Sequence, residues 1–502
     1  MLTDVARAKY EIEQFLCQSD HWQCLQNGIP ATPIASGNLA ITVEFGKVIF
    51  SYWGEDFATS WRIEEYHIQG QRLRLSLSRR MGREQLQMEL RLPGEADLLS
   101  PDVVERRRRF QELMCRLVKE KFPGGRIERV ATRRDDTRQL SGKYTRLLLA
   151  EGQRRVVAVG VNSQEDPSAI DGLLTAAIIW YERASEREPR KPDRLLLLAP
   201  VGRTTKLARR LTVITPPHPL RIELYGVDER KATATFIRPF DQGSLFDASG
   251  ERLPRPERRV KPNALRDRLL ESFPELKVYR RPGSSMESLR LRGLEVARLR
   301  GERVYYGVGA KKQRLKGGDV TPLMTLIRQV RRLRCPDSPQ RWHPFYRQQA
   351  ERWLEEMIRE DIRALDVRLD PRTVYPQIPA YGEDEYGLVD LLAITERGRV
   401  VIIELKVTED VELPMQGLDY WLRMEWHRRR GDLCRRGYFP GKRIADQPAL
   451  LFLVSPLLRF HRTFDVVARW MDSRVPVYKV GINDTWRQGV QVLLKERIHG
   501  GH

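Results

Sequence analysis

The sequence predicts an α/β protein with a mixed sheet near its C-terminus, and three observations lead to this prediction. From residue 342 onward, the patterns follow the order helix, strand, hairpin, helix, strand, helix, strand, which is typical of a mixed sheet covered by helices. Residues 144–166 align with residues 388–410 without a gap, at an offset of 244, so part of this pattern occurs twice. Residues 39–77 contain runs that alternate with a period of two, which predicts a β-rich N-terminal module.

Proline and glycine positions divide the chain into four predicted parts. Pro93, Gly94 and Pro101 mark the first boundary. The predicted parts are a β-rich N-terminal domain (1–100), a degenerate copy of the C-terminal domain (101–240), a basic, proline-interrupted connector or small α+β module (241–338), and the C-terminal domain itself (339–502).

The charge balance favours a polyanionic partner. The 502 residues include 88 Lys and Arg against 67 Asp and Glu, which gives a net charge of +21 at pH 7. Nucleic acid is the commonest partner of so basic a chain. The basic residues predicted to contact it lie in two groups, one after residue 427 and one in the connector: Arg428, Arg429, Arg430, Arg435, Arg436, Lys311, Lys312, Arg331 and Arg332.

Several classes of protein are disfavoured by motifs that the sequence lacks. Its five cysteines are scattered and form no CxxC pair, which disfavours a zinc ribbon and favours a reducing, cytoplasmic location. No apolar run is long enough to cross a bilayer, and the N-terminus has no apolar signal core. We therefore expect no membrane association. No Walker A sequence is present, so we expect no nucleotide cofactor either.

Asp390, Glu404 and Lys406 form the most informative constellation in the chain. Two β-rich apolar runs, 391–394 and 399–403, flank a turn at 395–398, which predicts a hairpin with these residues near the end of its strands. Glu404 and Lys406 are two residues apart and project from the same face of a strand. Carboxylate oxygens suit Mg²⁺ or Mn²⁺, and a nearby lysine can orient or deprotonate water. This chemistry is suited to phosphodiester hydrolysis.

The order of motifs around the hairpin resembles that of the PD-(D/E)XK nuclease superfamily. Gly387 and Asp390, then Glu404 and Lys406, and then Gln416 and Tyr420 match the GxxD, ExK and QxxxY motifs of the branch with RecB-like domains. The same run is similar to the C-terminal domain of NucS/EndoMS-type endonucleases. The resemblance covers residues 340–485 well and 102–235 weakly. It departs from the family pattern in that valine, not proline, precedes Asp390.

The resemblance implies a restriction-endonuclease-like α/β sandwich and a role for each matched residue. Asp390, Glu404 and the Leu405 carbonyl would hold one or two Mg²⁺ or Mn²⁺ ions, while Lys406 would orient or activate water. Glu351 or Glu355 would add a carboxylate from the preceding helix; the choice between them stays open, with Glu356 as a further alternative. Gln416 and Tyr420 would orient the site or touch phosphate. The implied activity is that of a metal-dependent nuclease acting on DNA, in repair, recombination or defence.

In the upstream copy, all three functional positions differ. At the offset of 244, Asp390, Glu404 and Lys406 fall on Arg146, Gly160 and Asn162. We therefore expect a degenerate copy that binds nucleic acid or replaces the second subunit of a dimer, with a homodimer as the alternative. Two other functions stay open: a non-catalytic nucleic-acid-binding scaffold and a nuclease directed at RNA.

Overall fold

A computed structural model of the chain describes most of its residues. The described ranges are 4–16, 18–19, 21–35, 38–44, 46–53, 58–79, 82, 84–91, 101–132, 140–188, 190–238, 253–256, 262–280, 286–301, 303–309, 312–315, 319–341, 343–382 and 385–499. No helix within these ranges is long and apolar enough to cross a membrane.

The described residues form helices and several sheets, so the protein is a mixed α/β structure. Its elements in chain order are α1 (Val5–Leu16), β1 (His21–Gln26), β2 (Ile29–Ala35), β3 (Leu39–Glu44), β4 (Lys47–Trp53), β5 (Ala58–Gln69), β6 (Arg72–Arg79), β7 (Glu84–Arg91), α2 (Pro101–Lys121), β8 (Arg126–Ala131), β9 (Thr145–Glu151), β10 (Arg154–Gly160), α3 (Pro167–Asp171), α4 (Leu173–Arg187), β11 (Arg194–Pro200), α5 (Thr205–Leu211), β12 (Arg221–Asp228), β13 (Thr233–Ile237), α6 (Ala264–Ser272), β14 (Leu276–Arg280), β15 (Glu287–Leu291), β16 (Leu294–Arg300), β17 (Arg303–Tyr306), β18 (Gln313–Arg314), α7 (Thr321–Leu333), α8 (Pro344–Arg347), α9 (Ala350–Glu360), β19 (Tyr375–Gly382), β20 (Glu385–Ile394), β21 (Val400–Leu405), α10 (Leu413–Arg429), α11 (Asp432–Arg436), β22 (Leu450–Pro456), α12 (Phe464–Ala468), β23 (Val477–Ile482) and β24 (Val492–Arg497).

The chain divides into two compact units, and the first is built from three stretches: Met1–Leu98, Glu257–Glu360 and Thr485–Val490. It contains an antiparallel seven-stranded sheet in the order β2-β1-β7-β6-β5-β4-β3, as the period-two runs predict. One face of this sheet is covered by α1, whose Ile12 and Phe15 are buried in a core with Phe50. A five-stranded meander, β14 to β18, buries its apolar face against α7.

The second unit comprises Leu99–Pro256, Asp361–Asp484 and Gln491–His502, and it holds two six-stranded sheets. One runs β8-β9-β10-β11-β12-β13 and the other β19-β20-β21-β22-β23-β24. In both, the two inner pairs (β10 with β11 and β11 with β12; β21 with β22 and β22 with β23) are parallel and the flanking pairs are antiparallel. We call β8–β13 with α3–α5 the first repeat, and β19–β24 with α10–α12 the second repeat.

Strand pairing corrects the predicted alignment of the repeats by one residue. Leu147 pairs with Ala158 in the first repeat, and Leu391 pairs with Ile403 in the second, so β9 and β20 keep the offset of 244 while β10 and β21 require 245. The cause is the length of the turn. In the first repeat the pairing continues to Glu151 with Arg154, which leaves a turn of two residues. In the second repeat the pairing ends at Ile394 with Val400, which leaves a turn of five residues.

The corrected alignment changes which residues occupy the site positions of the first repeat. Val159 and Val161, not Gly160 and Asn162, correspond to Glu404 and Lys406, while Arg146 still corresponds to Asp390. The burial pattern agrees with the corrected alignment. Val159 and Val161 are buried in the same core as Ile402, which projects from the same face of β21 as Glu404. Gly160 faces the other side, where an added Cβ would lie 2.8 Å from Met114 Sδ of α2.

Candidate metal and phosphodiester site

The predicted hairpin is present and rigidly built. Strands β20 and β21 pair antiparallel from Leu391–Ile403 to Ile394–Val400, and every residue of β21 is buried. The turn closes through hydrogen bonds from Thr395 N to Arg399 O and from Gly398 N to Thr395 O. Gly398 has φ of +84°, and a Cβ there would lie 2.1 Å from Arg443 O, so this turn requires glycine.

Asp390 and Glu404 come one residue beyond the Leu391–Ile403 pair, one on each strand. Both are buried, with 9% and 3% of their surface exposed. Asp390 Oδ2 accepts a hydrogen bond of 2.9 Å from Leu405 N, which fixes this carboxylate against the end of β21. Two carboxylates are therefore held in place where the ladder of the hairpin ends.

Lys406 follows directly after β21, and its position is set by main-chain and side-chain contacts. Its N–H donates to Val454 O at 3.0 Å, which continues the parallel pairing with β22. Its half-buried Nζ lies 3.8 Å from Glu404 Oε1 and 3.7 Å from Asp410 Oδ2. Asp410 also accepts a hydrogen bond from Glu412 N at 2.8 Å, which ties this cluster to the start of α10.

The cluster carries more negative than positive formal charge. Asp390, Glu404 and Asp410 supply three carboxylates, against one ammonium from Lys406. An excess of carboxylate in a buried setting attracts a cation, and hard oxygen donors favour Mg²⁺ or Mn²⁺. Within the described residues, no group of three or more His, Cys, Asp or Glu side chains is placed to hold a metal ion. Mg²⁺ commonly keeps several waters and takes only one or two protein carboxylates, so Asp390 and Glu404 fit such an ion.

Helix α10 brings the QxxxY motif to the hairpin. A Cβ at Gly387 would lie 2.9 Å from Tyr420 Cε1, so the tyrosine ring packs directly over the glycine of the GxxD motif. Burial raises the pKa of Tyr420, and the charges of Glu404 and Asp390 raise it further against the opposing charge of Lys406. Tyr420 is therefore a neutral hydroxyl beside the carboxylates. Gln416, one helical turn earlier on the same face, has a buried Oε1 that accepts no hydrogen bond from the described residues.

The two glutamates predicted from the preceding helix lie in the other unit. Glu351 and Glu355 are on α9, and Glu355 is buried with Arg352 Nη1 at 2.7 Å from its Oε2. The site described above is built only from residues of the second unit, so the role of these two glutamates stays a prediction.

The predicted nucleic-acid contacts differ widely in exposure. Arg428 is buried and forms a two-point pair with Glu425, and Lys312 is nearly buried with Nζ 2.8 Å from Glu295 Oε1. Arg334, which follows directly after α7, is fully buried and donates to main-chain carbonyls, including Phe345 O. Lys311 lies outside the described residues. The remaining predicted contacts are partly or fully exposed, and several carry ion pairs: Arg429, Arg430, Arg435, Arg436, Arg331 and Arg332.

Asp410 is the site residue that sequence reasoning missed. It stands four residues after Lys406, in a loop without regular structure, where spacing alone does not indicate that the two side chains meet. The reason for glycine at position 387 was also not visible, because it depends on the ring of a residue 33 positions later.

Comparisons with known proteins give only distant similarities. No family model and no curated protein matches the chain. Two solved structures are similar over part of it: one described as an EndoMS–dsDNA complex (13% identity, 43% of this chain, 90% of that chain) and one as a repair endonuclease from Pyrococcus abyssi (12%, 44% and 96%). The TM-score is 0.17 for both. Overlaps this weak leave the assignment of function to the chemistry of the site.

Proposed function

We propose that this protein is a divalent-metal-dependent nuclease that hydrolyses phosphodiester bonds of DNA at the Asp390–Glu404–Lys406 cluster. The observation that carries the proposal is the placement of two buried carboxylates and a half-buried lysine where the ladder of one hairpin ends. Burial of these charges is costly unless they are paired or used. The first repeat has Arg146, Val159 and Val161 at the equivalent positions, which supports a functional role for the three residues.

Each residue of the cluster has a distinct part in this reaction. Asp390 and Glu404, with the Leu405 carbonyl as a third donor, would hold Mg²⁺ or Mn²⁺. When bound, such an ion supplies Lewis acidity toward the phosphate and the attacking water. Lys406 Nζ orients that water or takes its proton. Tyr420 and Gln416 orient phosphate or the carboxylates through groups that stay neutral.

A nucleic-acid substrate is supported by the net charge of +21 and by the exposed arginines at the end of α10 and in α11. A nuclease for RNA and a non-catalytic nucleic-acid-binding protein are the outcomes that the experiment must separate. Phosphate chemistry is shared by DNA and RNA, so the separation has to come from the substrates offered.

A cleavage panel with matched lysine variants tests the proposal. The full chain is incubated with Mg²⁺ or Mn²⁺ and with linear, nicked, branched and single-stranded DNA and equivalent RNA. The control is Lys231→Ala, which removes the same charge from an exposed position whose ion-pair partner among the described residues is Asp228. Lys406→Ala should lower the cleavage rate by about 10²–10⁴-fold, as loss of general acid–base catalysis does, while binding DNA as the control does. Chelation should abolish cleavage by wild type. Equal rates for the two variants would contradict the proposal, and binding without cleavage of any substrate would favour the non-catalytic alternative.

A further inference from the structure

The two repeats are related by an internal two-fold arrangement. An isolated antiparallel bridge joins Ile214 to Met471. It is flanked by hydrogen bonds of 2.8 Å from Thr215 N to Trp470 O and from Asp472 N to Val213 O. Both residues of the bridge follow the equivalent helices α5 and α12, and one offset relates all three pairs of positions. The two hydrogen bonds therefore exchange under a two-fold axis, as in the isologous interface of a dimer.

The helices of the two repeats pack with the same reciprocity. Helix α12 of the second repeat packs on α4 of the first, and α5 of the first packs on α10 of the second, where α4 corresponds to α10 and α5 to α12. Buried side chains of both repeats form one continuous hydrophobic core. A buried ion pair at 2.8 Å between Arg210 and Asp419 crosses this interface. One chain thus contains the interface that a symmetric dimer would form from two.

The site position of the first repeat is closed by its own side chains. Arg146 replaces Asp390 and is only 1% exposed. Its guanidinium carbon lies 5.4 Å from the ring centroid of Trp180, which stands in α4 where Tyr420 stands in α10, seven residues after the helix begins. Val159 and Val161 replace Glu404 and Lys406. The buried cation of Arg146 repels a divalent metal ion, and the two valines supply no oxygen ligand for it.

We infer that this chain cuts a single strand of duplex DNA per binding event, so that its product is a nick. The inference rests on the proposed nuclease function of the second repeat. A two-fold scaffold matches the two-fold relation of antiparallel DNA strands, and a dimer with two equal sites reaches both backbones. Here only one of the two related positions has reactive groups. Each event adds one water across one P–O ester bond: the water oxygen joins phosphorus, the ester oxygen leaves and is protonated, and the other strand stays intact.

Supercoiled plasmid distinguishes the two outcomes. The full-length protein is held in excess over plasmid with Mn²⁺, and supercoiled, nicked-circular and linear DNA are separated over time. We expect supercoiled DNA to convert completely into nicked circles before linear DNA appears. Light scattering on a short duplex that the protein cuts should show one chain per duplex. Asp390→Asn should remove the nicking, and Arg146→Met should retain it, because Arg146 belongs to the closed position.

Three other results overturn the inference in different ways. Linear DNA formed without a nicked intermediate, with two chains per duplex, would show two centres acting together and leave the nuclease function intact. If Arg146→Met folds as judged by circular dichroism but loses cleavage, the first repeat is not a closed copy. Absence of cleavage on every plasmid form and every nucleic acid of the panel would overturn both the inference and the proposed function.

Discussion

Tyr420 and Gly387 show how closely the candidate site is packed at the level of single residues. The ring occupies the space that a side chain at position 387 would need, so the strand and the helix approach each other only with glycine there. This contact holds the tyrosine hydroxyl near the carboxylates of Asp390 and Glu404. It gives a physical reason for a glycine three residues before Asp390.

Gly387→Ala should therefore disturb both stability and activity. The new Cβ would lie 2.9 Å from Tyr420 Cε1. Overpacking of this kind lowers the free energy of unfolding by about 1–3 kcal/mol. We expect a lower free energy of unfolding in urea and slower cleavage. The control is Gly226→Ala in β12, where the nearest atom would be Ile237 Cδ1 at 3.6 Å, an ordinary contact. If both variants unfold at the same denaturant concentration, the proposed packing of Tyr420 is wrong.

At this scale, sequence reasoning indicated which residues of the candidate site lie close together but not all of their neighbours. Asp390, Glu404, Lys406 and Tyr420 were expected to converge because their motifs follow one another on adjacent elements, and the structure places them together. Asp410 was not expected, since its approach to Lys406 depends on an irregular loop. The burial of Lys312 was equally hidden, because its partner Glu295 lies on β16, 17 positions earlier.

At the level of elements, the hairpin and the repeat were visible in the sequence, but their register was not. The ungapped offset of 244 is correct up to the turn and off by one after it, because the second repeat has a longer turn. Apolar side chains fill both faces of β10 and β21, so the hydrophobic pattern is nearly unchanged by a shift of one residue. A shift of one nevertheless exchanges the faces of the strand. Only hydrogen-bond pairing shows that Val159 stands opposite Arg146.

A buried ion pair adds to the apolar contacts between the helices that join the repeats. Arg210 is 1% exposed, and its Nε and Nη2 each donate to an Asp419 oxygen at 2.8 Å. Removing one partner leaves a buried charge, which costs about 3–5 kcal/mol, whereas replacing both with apolar residues is often neutral.

A double-mutant cycle on this pair tests the interface between α5 and α10. Arg210→Met and Asp419→Leu should each strongly lower the free energy of unfolding, and the double variant should recover most of the loss. Equilibrium denaturation of the full chain measures all three. Additive losses in the double variant would show that the pair does not couple the repeats.

At the level of the whole molecule, the sequence indicated an α/β protein with a β-rich N-terminal part, and the structure has these elements. The sequence did not indicate which segments make up each of the two units. Residues 257–360 and 485–490 belong to the same unit as the N-terminal sheet. Such a division depends on contacts between segments far apart in sequence, which periodicity cannot reveal. The predicted four-part division therefore stays a prediction about sequence segments.

The proposed function requires that the hairpin of β20 and β21 hold a divalent metal ion. Titration calorimetry with Mn²⁺ on the full chain tests it without relying on a substrate. Saturable binding is expected for wild type and for Asp228→Asn, which makes the same chemical change in the first repeat. Binding should be lost in Asp390→Asn and in Glu404→Gln, with all four proteins folded by circular dichroism. Mn²⁺ binding that is unchanged in Asp390→Asn and Glu404→Gln would contradict the account.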